Sequence, residues 1–412
     1  MPHSNQAESF PTHHQGDVEF KYPYGQSALQ RDKTPLVRMI PWGELMRQVA
    51  VPNRAVLSVA GPEPNLSTFL NGLLSTHVVS PPTSDLRKGF YSLFLSPQGR
   101  IFYDVFLHPH PHESTGYLLE YDPRIPNAMS LEGETASSFP TLPKLLKRYI
   151  LRSKTRVADV SDQYRVYARW NDDFMAGTAL EPEEWRWSNS GSVEPVWRNP
   201  IIYEQLQELA SKGITRSWDL RAPRMGQRLL VPKDVSLRLP EASEDDYTLH
   251  RIINGVPEGA VDMAGGLPME RNADMMGGGQ VLCGQELTVR TYHTGLIRKR
   301  VVPVRLNPKA RDGPSISPPP SGLGIVPASP ASLSSSPSSR PRSRGKGTLL
   351  STIRTPSSEQ HSMGLALIRL EHLEAVEKGQ TTLKTQDSSN DDVGVWAVLP
   401  QRPDWWPVRE QQ

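Results

Sequence analysis

Residues 313–344 hold 8 Pro and 11 Ser, 19 of 32 positions, with cations gathered at Arg340, Arg342, Arg344 and Lys346. Such a stretch cannot bury enough apolar surface to offset its chain entropy, which predicts a disordered insert over 307–346. Its Arg-Ser character suits acidic partners or phosphorylation; a loop expansion without function is the other reading. Strand-like segments stand on both sides. One opens at Arg298-Lys299-Arg300, and others follow at Thr348–Ile353, Gly364–Glu371 and Val393–Leu399. The C-terminal domain, 293–400, therefore has to be a small β structure that closes across its own insert. An exposed Trp405-Trp406 begins a tail, 401–412.

Upstream, the pattern is mixed. Residues 1–50 read as a mostly disordered polar arm. Val56–Gly61 predicts a strand, and Leu66, Phe69, Leu70, Leu73 and Leu74 recur at helical spacing. Phe90–Leu95 and Arg100–Leu107 flank Ser96-Pro97-Gln98-Gly99, a hairpin with its turn. Tyr117–Tyr121 predicts another strand. Leu142–Leu151 predicts a helix burying Leu142, Leu145, Leu146 and Tyr149, with Lys144, Lys147 and Arg148 outside. Residues 170–200, with Trp170, Trp185, Trp187 and Trp197, read as an inserted loop. A strand at Gln227–Val231 and a helix from Tyr247 to Ile253, ended by Gly255, complete the segment. Strand, helix, hairpin, strand, helix gives an α+β fold rather than a doubly wound sheet.

Charge and hydropathy narrow the function. A formal net charge of +2 gives no bulk electrostatic case for nucleic acid or an anionic membrane. No run approaches the roughly 18 apolar residues that span a bilayer, so membrane insertion is not expected. The first 30 residues carry Glu8, Asp17 and Glu19 but one cation, Lys21, which makes a poor transit peptide. His3, His13 and His14 match no metal-site spacing, and no metal site is expected.

Cys283 is the single cysteine, so the chain has no internal disulfide and no thiolate cage of its own. It is either a small buried hydrophobe or a thiol activated by the polar, cationic stretch that follows it. His293 is a candidate proton carrier beside it. Strand alternation puts Arg298 and Arg300 on one face and Lys299 on the other, either a solvated face or cations for an anionic ligand. Glu270 is a carboxylate able to accept two parallel hydrogen bonds. Asn71 and Arg100 are polar candidates for a ligand pocket, or serve as turn or surface residues.

Three blocks in order carry a resemblance. They are Ser58-Val59-Ala60-Gly61 with Phe69–Thr76, then Phe94-Leu95-Ser96-Pro97-Gln98-Gly99-Arg100-Ile101-Phe102-Tyr103-Asp104, then Gly284-Gln285-Glu286 through Arg290-Thr291 and His293 to Arg300. Asp219…Pro223-Arg224-Met225-Gly226, Leu267–Asn272 and Gly364–Arg369 add to them. The chain resembles the aminomethyltransferase/YgfZ family of tetrahydrofolate-binding proteins, in its branch of mitochondrial factors that mature four-iron, four-sulfur proteins. The family pattern has its cysteine three positions before the glycine; here Val281 stands there and Cys283 adjoins Gly284. The family's aminomethyltransferases carry Asp-Asp in the hairpin, where this chain has Tyr103-Asp104.

The resemblance implies a folate-binding α+β domain over 51–292, followed by an antiparallel β-barrel. It implies a tetrahydrofolate-like ligand held by Asn71, Arg100, Asp104, Glu270, Gln285, Glu286, Arg290, His293, Arg298 and Arg300, with Cys283 as the reactive thiol. One cysteine cannot hold a four-iron cluster, so any cluster is shared with a partner. The partners implied are an A-type iron-sulfur scaffold and four-iron target proteins such as aconitase-type and radical enzymes, in the mitochondrial matrix. Assembly without classical catalysis is the leading expectation; a folate-dependent aminomethyl or one-carbon transferase is the alternative.

Overall fold

A computed structural model describes residues 46–78, 89–125, 140–151, 153–171, 184–187, 193–196, 212–237, 241–276, 297–308, 317–328, 346–355, 361–386 and 395–406. Three β structures organise them.

The first is a five-stranded sheet in the order β3-β4-β5-β2-β6. Its strands are β2 (Ala55–Ala60), β3 (Phe90–Leu95), β4 (Ile101–Pro109), β5 (Gly116–Tyr121) and β6 (Arg156–Asp159). Alternation sorts the side chains. Leu57, Val59, Tyr103, Val105, Leu107, Leu119 and Tyr121 face helices α1 (Asn65–Asn71) and α2 (Leu142–Tyr149), whose Leu66, Leu70, Leu142 and Leu146 complete that core. Tyr149 does not join them; the helix ends there, the ring is 46% exposed, and Ile150 packs in its place. The predicted hairpin forms, with Ser96 Oγ accepting from the amides of Gln98 and Arg100 at 3.2 and 3.1 Å.

The second sheet runs β1-β7-β11-β10, from β1 (Met46–Ala50), β7 (Tyr164–Asn171), β10 (Thr215–Trp218) and β11 (Gln227–Pro232). Two expectations are corrected here. Met46–Ala50, placed in the disordered arm, pairs along β7 from Met46↔Asn171 to Ala50↔Tyr167. Trp170, placed in an inserted loop, lies within β7 at 2% exposure in the core. That loop also contains a hairpin of β8 (Glu184–Trp187) and β9 (Val193–Val196). Val56 and Leu118 of the first sheet pack against Val166, Ala168 and Leu230 of the second, so the two sheets meet face to face. Helix α3 (Glu244–Ile253) begins three residues before Tyr247 because Ser243 and Asp246 form a capping box. A short turn, α4 (Gly259–Asp262), follows.

The third structure is a closed barrel, β12-β15-β14-β13-β16-β17. Its strands are β12 (Lys299–Pro308), β13 (Gly324–Ala328), β14 (Gly347–Arg354), β15 (Ser362–Arg369), β16 (Thr382–Thr385) and β17 (Trp396–Pro400). Strand β13 lies inside the stretch predicted to be disordered. Leu323-Gly324-Ile325-Val326 is a short apolar run that composition averaged over 32 positions conceals. Ile325, 2% exposed, enters the barrel core, and β13 bridges β14 and β16. Residues 309–316 and 329–345 lie outside the described residues. After β15 the chain turns into helix α5 (Leu370–Glu377), so Leu370 and Glu371 leave the predicted strand. Trp406, expected to be exposed, is 6% exposed in the barrel core, and the Trp405 indole donates to Asn254 O at 3.0 Å.

Candidate functional site: a buried ionic cluster between the sheets

From Asp104 onward the even-numbered residues of β4, with Leu118 and Glu120 of β5, face the second sheet. Asp104, Phe106, His108 and Glu120 are all 0% exposed there. From the opposing sheet come Arg228 and Ser217, from the turn before β11 come Asp219 and Arg221, and from the loop before β2 comes Arg54. Tyr247 on α3 and Glu258, just before α4, close the set.

Glu258 is its hub. It accepts Arg228 Nη2 at 2.6 Å, Arg221 Nη2 at 2.7 Å and the Tyr247 hydroxyl at 2.7 Å, with Arg54 Nη2 at 3.4 Å. Arg221 also holds Asp219 in a two-point bond, at 2.8 and 2.6 Å. Arg54 reaches Asp104 at 3.3 Å and Glu120 at 3.0 Å. The guanidinium carbons of Arg221 and Arg228 each lie 4.8 Å from the Phe106 ring centroid. His108 joins Ser217 Oγ at 2.8 Å to Glu120 at 3.4 Å.

Burial alone would raise the Glu258 carboxyl; Arg228, Arg54 and Arg221 outweigh it and hold it well below the usual range. The Glu120 carboxyl is lowered in the same way, against burial, by Arg228, Arg54 and His108. Asp104 goes the other way. Burial raises it by more than Arg54 lowers it, and Glu258 adds repulsion. Asp104 is thus shifted opposite to Glu258 and Glu120.

Six buried atoms in this set make no hydrogen bond; Glu120 Oε1 and Arg228 Nε still face each other at 3.3 Å, which leaves Asp104 Oδ1, Arg54 Nη1, Arg221 Nη1 and Tyr91 OH. Tyr91 belongs with them, since Arg221 lies 5.4 Å from its ring and Asp104 and Arg54 act on its hydroxyl. Native proteins rarely leave such groups unpaired, because each costs roughly 1–3 kcal/mol. Together they offer an acceptor, a hydroxyl and two cationic donors. Among the described residues no three His, Cys, Asp or Glu side chains are placed to hold a metal ion.

Of the site residues expected from sequence, Asp104 is in this cluster, where its Oδ2 also accepts the Gly259 amide at 3.2 Å. Tyr103 beside it points the opposite way, into the helix-covered core, and donates to Pro140 O at 3.0 Å. Asn71 is occupied by Val78, donating to its carbonyl at 3.0 Å and accepting its amide at 2.6 Å. Arg100 is exposed and donates to Gly265 O at 2.7 Å, tying the hairpin to the chain after α4. Glu270 is half-buried on a single 3-10 turn, Met269–Arg271. Arg298 and Arg300 differ in their surroundings. Arg298 is exposed and precedes β12, whereas Arg300 is buried and donates to Asp274 Oδ2 and Met269 O, each at 2.7 Å. Cys283, Gln285, Glu286, Arg290 and His293 lie outside the described residues.

Sequence reasoning missed Arg54, Glu120, Arg228, Tyr247 and Glu258. The signal was a charge inside an apolar strand, as in Gln227-Arg228-Leu229-Leu230-Val231 and Tyr117-Leu118-Leu119-Glu120-Tyr121.

The barrel carries the first recognisable likeness: residues 298–408 match the domain family described as CAF17, C-terminal beta-barrel domain. Three fungal relatives share the name iron-sulfur cluster assembly factor IBA57 homolog, mitochondrial. That of Cryptococcus neoformans is 34% identical over 345 residues, covering 78% of this chain and 83% of the relative. That of Mycosarcoma maydis is 30% identical over 394 residues, covering 87% and 84%. That of Aspergillus fumigatus is 32% identical over 351 residues, covering 77% and 69%. Among solved structures, aminomethyltransferase T of the glycine cleavage system from Bartonella henselae aligns over 87% of this chain and 85% of its own, at 12% identity and a TM-score of 0.46. The chain belongs to the IBA57 family of mitochondrial iron-sulfur cluster assembly factors.

Proposed function

We propose that this protein promotes maturation of four-iron, four-sulfur proteins in the mitochondrial matrix, and that it holds a tetrahydrofolate-like ligand at the Arg54–Asp104–Tyr91–Arg221 cluster. The observation that carries the ligand reading is the group of four unpaired buried polar atoms on those residues. A reduced pterin presents ring nitrogens, an amino group and a carbonyl. Asp104 Oδ1 and Tyr91 OH would bond the first two kinds, and the free guanidinium nitrogens of Arg54 and Arg221 would donate to the carbonyl. When bound, the folate supplies a nitrogen able to carry a one-carbon unit. The chain's own part is to orient that ring between the sheets and to exclude water from it.

The cluster that is assembled is cargo. Cys283 would contribute one thiolate and an A-type scaffold protein the others, since a cluster of this class takes about four. Glu270, Gln285, Glu286, Arg290, His293 and Arg298 are proposed as the ligand's outer contacts. The transferase alternative draws on Asp104, a buried carboxyl whose pKa is raised. It predicts one-carbon turnover with tetrahydrofolate that Asp104→Asn abolishes. The assembly reading predicts none.

The test is restoration of aconitase-type activity in matrix extracts of cells lacking the protein, complemented with wild type, Cys283→Ser or Cys283→Ser with Val281→Cys. Loss with serine and recovery with the relocated cysteine is the expected pattern. Full activity in Cys283→Ser rules out the thiol's part and leaves the ionic cluster as the working element.

A further inference from the structure

The face of the second sheet turned away from the ionic cluster carries two arginines in a different situation. The register sets Arg169 opposite Gln227 and Gln227 opposite Trp218, and Arg216 is two residues from Trp218 along β10, so all four share one face. The Arg216 guanidinium carbon lies 5.9 Å from the Trp218 ring centroid. Tyr167, Ile214, Leu229 and Val231 form an apolar floor beside them. Both arginines are partly buried, and Arg169 Nε and Gln227 Oε1 are buried without a hydrogen bond.

The contrast with the other buried arginines is what identifies the feature. Arg54, Arg221, Arg228 and Arg251 each meet carboxylates, and each is held above its ordinary range against the cost of burial. Among the described residues, no carboxylate is within ion-pairing distance of Arg169 or Arg216. Burial lowers Arg169, and burial together with Arg169 pushes Arg216 down to about 10. Two like charges are therefore held on one face of a sheet, on strands flanking β11, short of water and, among the described residues, without a counter-charge. A fold gains nothing from that arrangement unless an anion completes it.

We infer that Arg169 and Arg216 form a second binding site, separate from the ionic cluster, for the carboxylate or phosphate group of a small molecule. A planar guanidinium matches the geometry of an oxyanion, and the apolar floor keeps the surrounding dielectric low. Gln227 Oε1 is placed to accept from a hydroxyl or amine next to that oxyanion.

Thermal unfolding of the full chain tests the site, with inorganic phosphate and, separately, succinate titrated at constant ionic strength. At least one probe raises the midpoint saturably, and Arg169→Gln and Arg216→Gln each weaken that response roughly tenfold. Lys144→Gln, on the exposed face of α2, does not change it. Without either probe, Arg216→Gln unfolds at a higher temperature than wild type, because the repulsion is gone; at saturating probe the order reverses. A response to phosphate alone assigns a phosphate-bearing ligand, and to succinate alone a carboxylate. The site is overturned if neither probe saturates, if the variants respond like wild type, or if Arg216→Gln is the less stable protein without any probe.

Discussion

Arg228 meets Glu258 at 2.6 Å, with the guanidinium at 0% exposure and the carboxylate at 8%. The same carboxylate serves Arg221 and Tyr247, so it is the counter-charge on which two sheets and helix α3 converge. Replacing it leaves three buried arginines short of negative charge, which is costlier than the bond itself. Glu258→Gln should lower the unfolding free energy by about 3–5 kcal/mol, read by denaturant titration. A loss below about 1 kcal/mol would mean that water reaches these groups.

Tyr91 separates a ligand site from a structural one. Its hydroxyl is buried and unpaired, and burial first, then Asp104, raises its pKa well above 10.0. Tyr91→Phe removes an unsatisfied polar group, so the free protein should gain up to about 1 kcal/mol. The same change should weaken tetrahydrofolate binding. A destabilised Tyr91→Phe protein would point to a lasting internal partner for the hydroxyl.

His250 gives the fold a dependence on pH. Its Nε2 donates to Arg224 O at 3.0 Å and its ring stacks on Trp170, with centroids 5.0 Å apart. Burial lowers its pKa from 6.5 to about 4. Between those values the unfolded chain binds the proton and the folded chain does not. This contribution to stability is therefore complete above about pH 6.5 and falls by about 3 kcal/mol as the pH drops toward 4. His250→Gln, which keeps a donor for the carbonyl, should flatten the slope of unfolding free energy over that interval. An unchanged slope would assign it to other groups.

The barrel constrains how the Pro/Ser stretch can be probed. Removing 313–344 also removes β13, which pairs Ile325 with Gly347 of β14 and with Thr385 of β16. That deletion should cost the cooperative unfolding of the barrel. Replacing 329–345 alone with a short Gly-Ser linker should leave the melting transition in place. Matching behaviour of the two deletions would show that β13 contributes little to closure.

The legible parts of the chain were those with a strong local period. Val56–Gly61, the hairpin around Ser96–Gly99 and the Leu142, Leu145, Leu146 stripe all formed as their spacing predicts, because one buried face dictates the pattern. Asp104, which lies in the ionic cluster, was marked by a motif. Its companions were not. Arg54, Glu120, Arg228 and Glu258 lie far apart in sequence and become a site only when the two sheets meet, which no local period encodes. Strand β13 failed for another reason: a five-residue strand is shorter than the window over which composition is informative. Ser243-Glu244-Asp245-Asp246 did carry a helix start, in the capping box that precedes the apolar face.

Equilibrium binding of tetrahydrofolate to the wild-type chain and to Asp104→Asn tests the central claim most directly. Asparagine keeps an oxygen for the Gly259 amide, so denaturant unfolding should show the variant still folded. The account predicts saturable binding by wild type and at least roughly tenfold weaker binding by the variant. Absence of binding by wild type, or equal affinity in the two proteins, would contradict it.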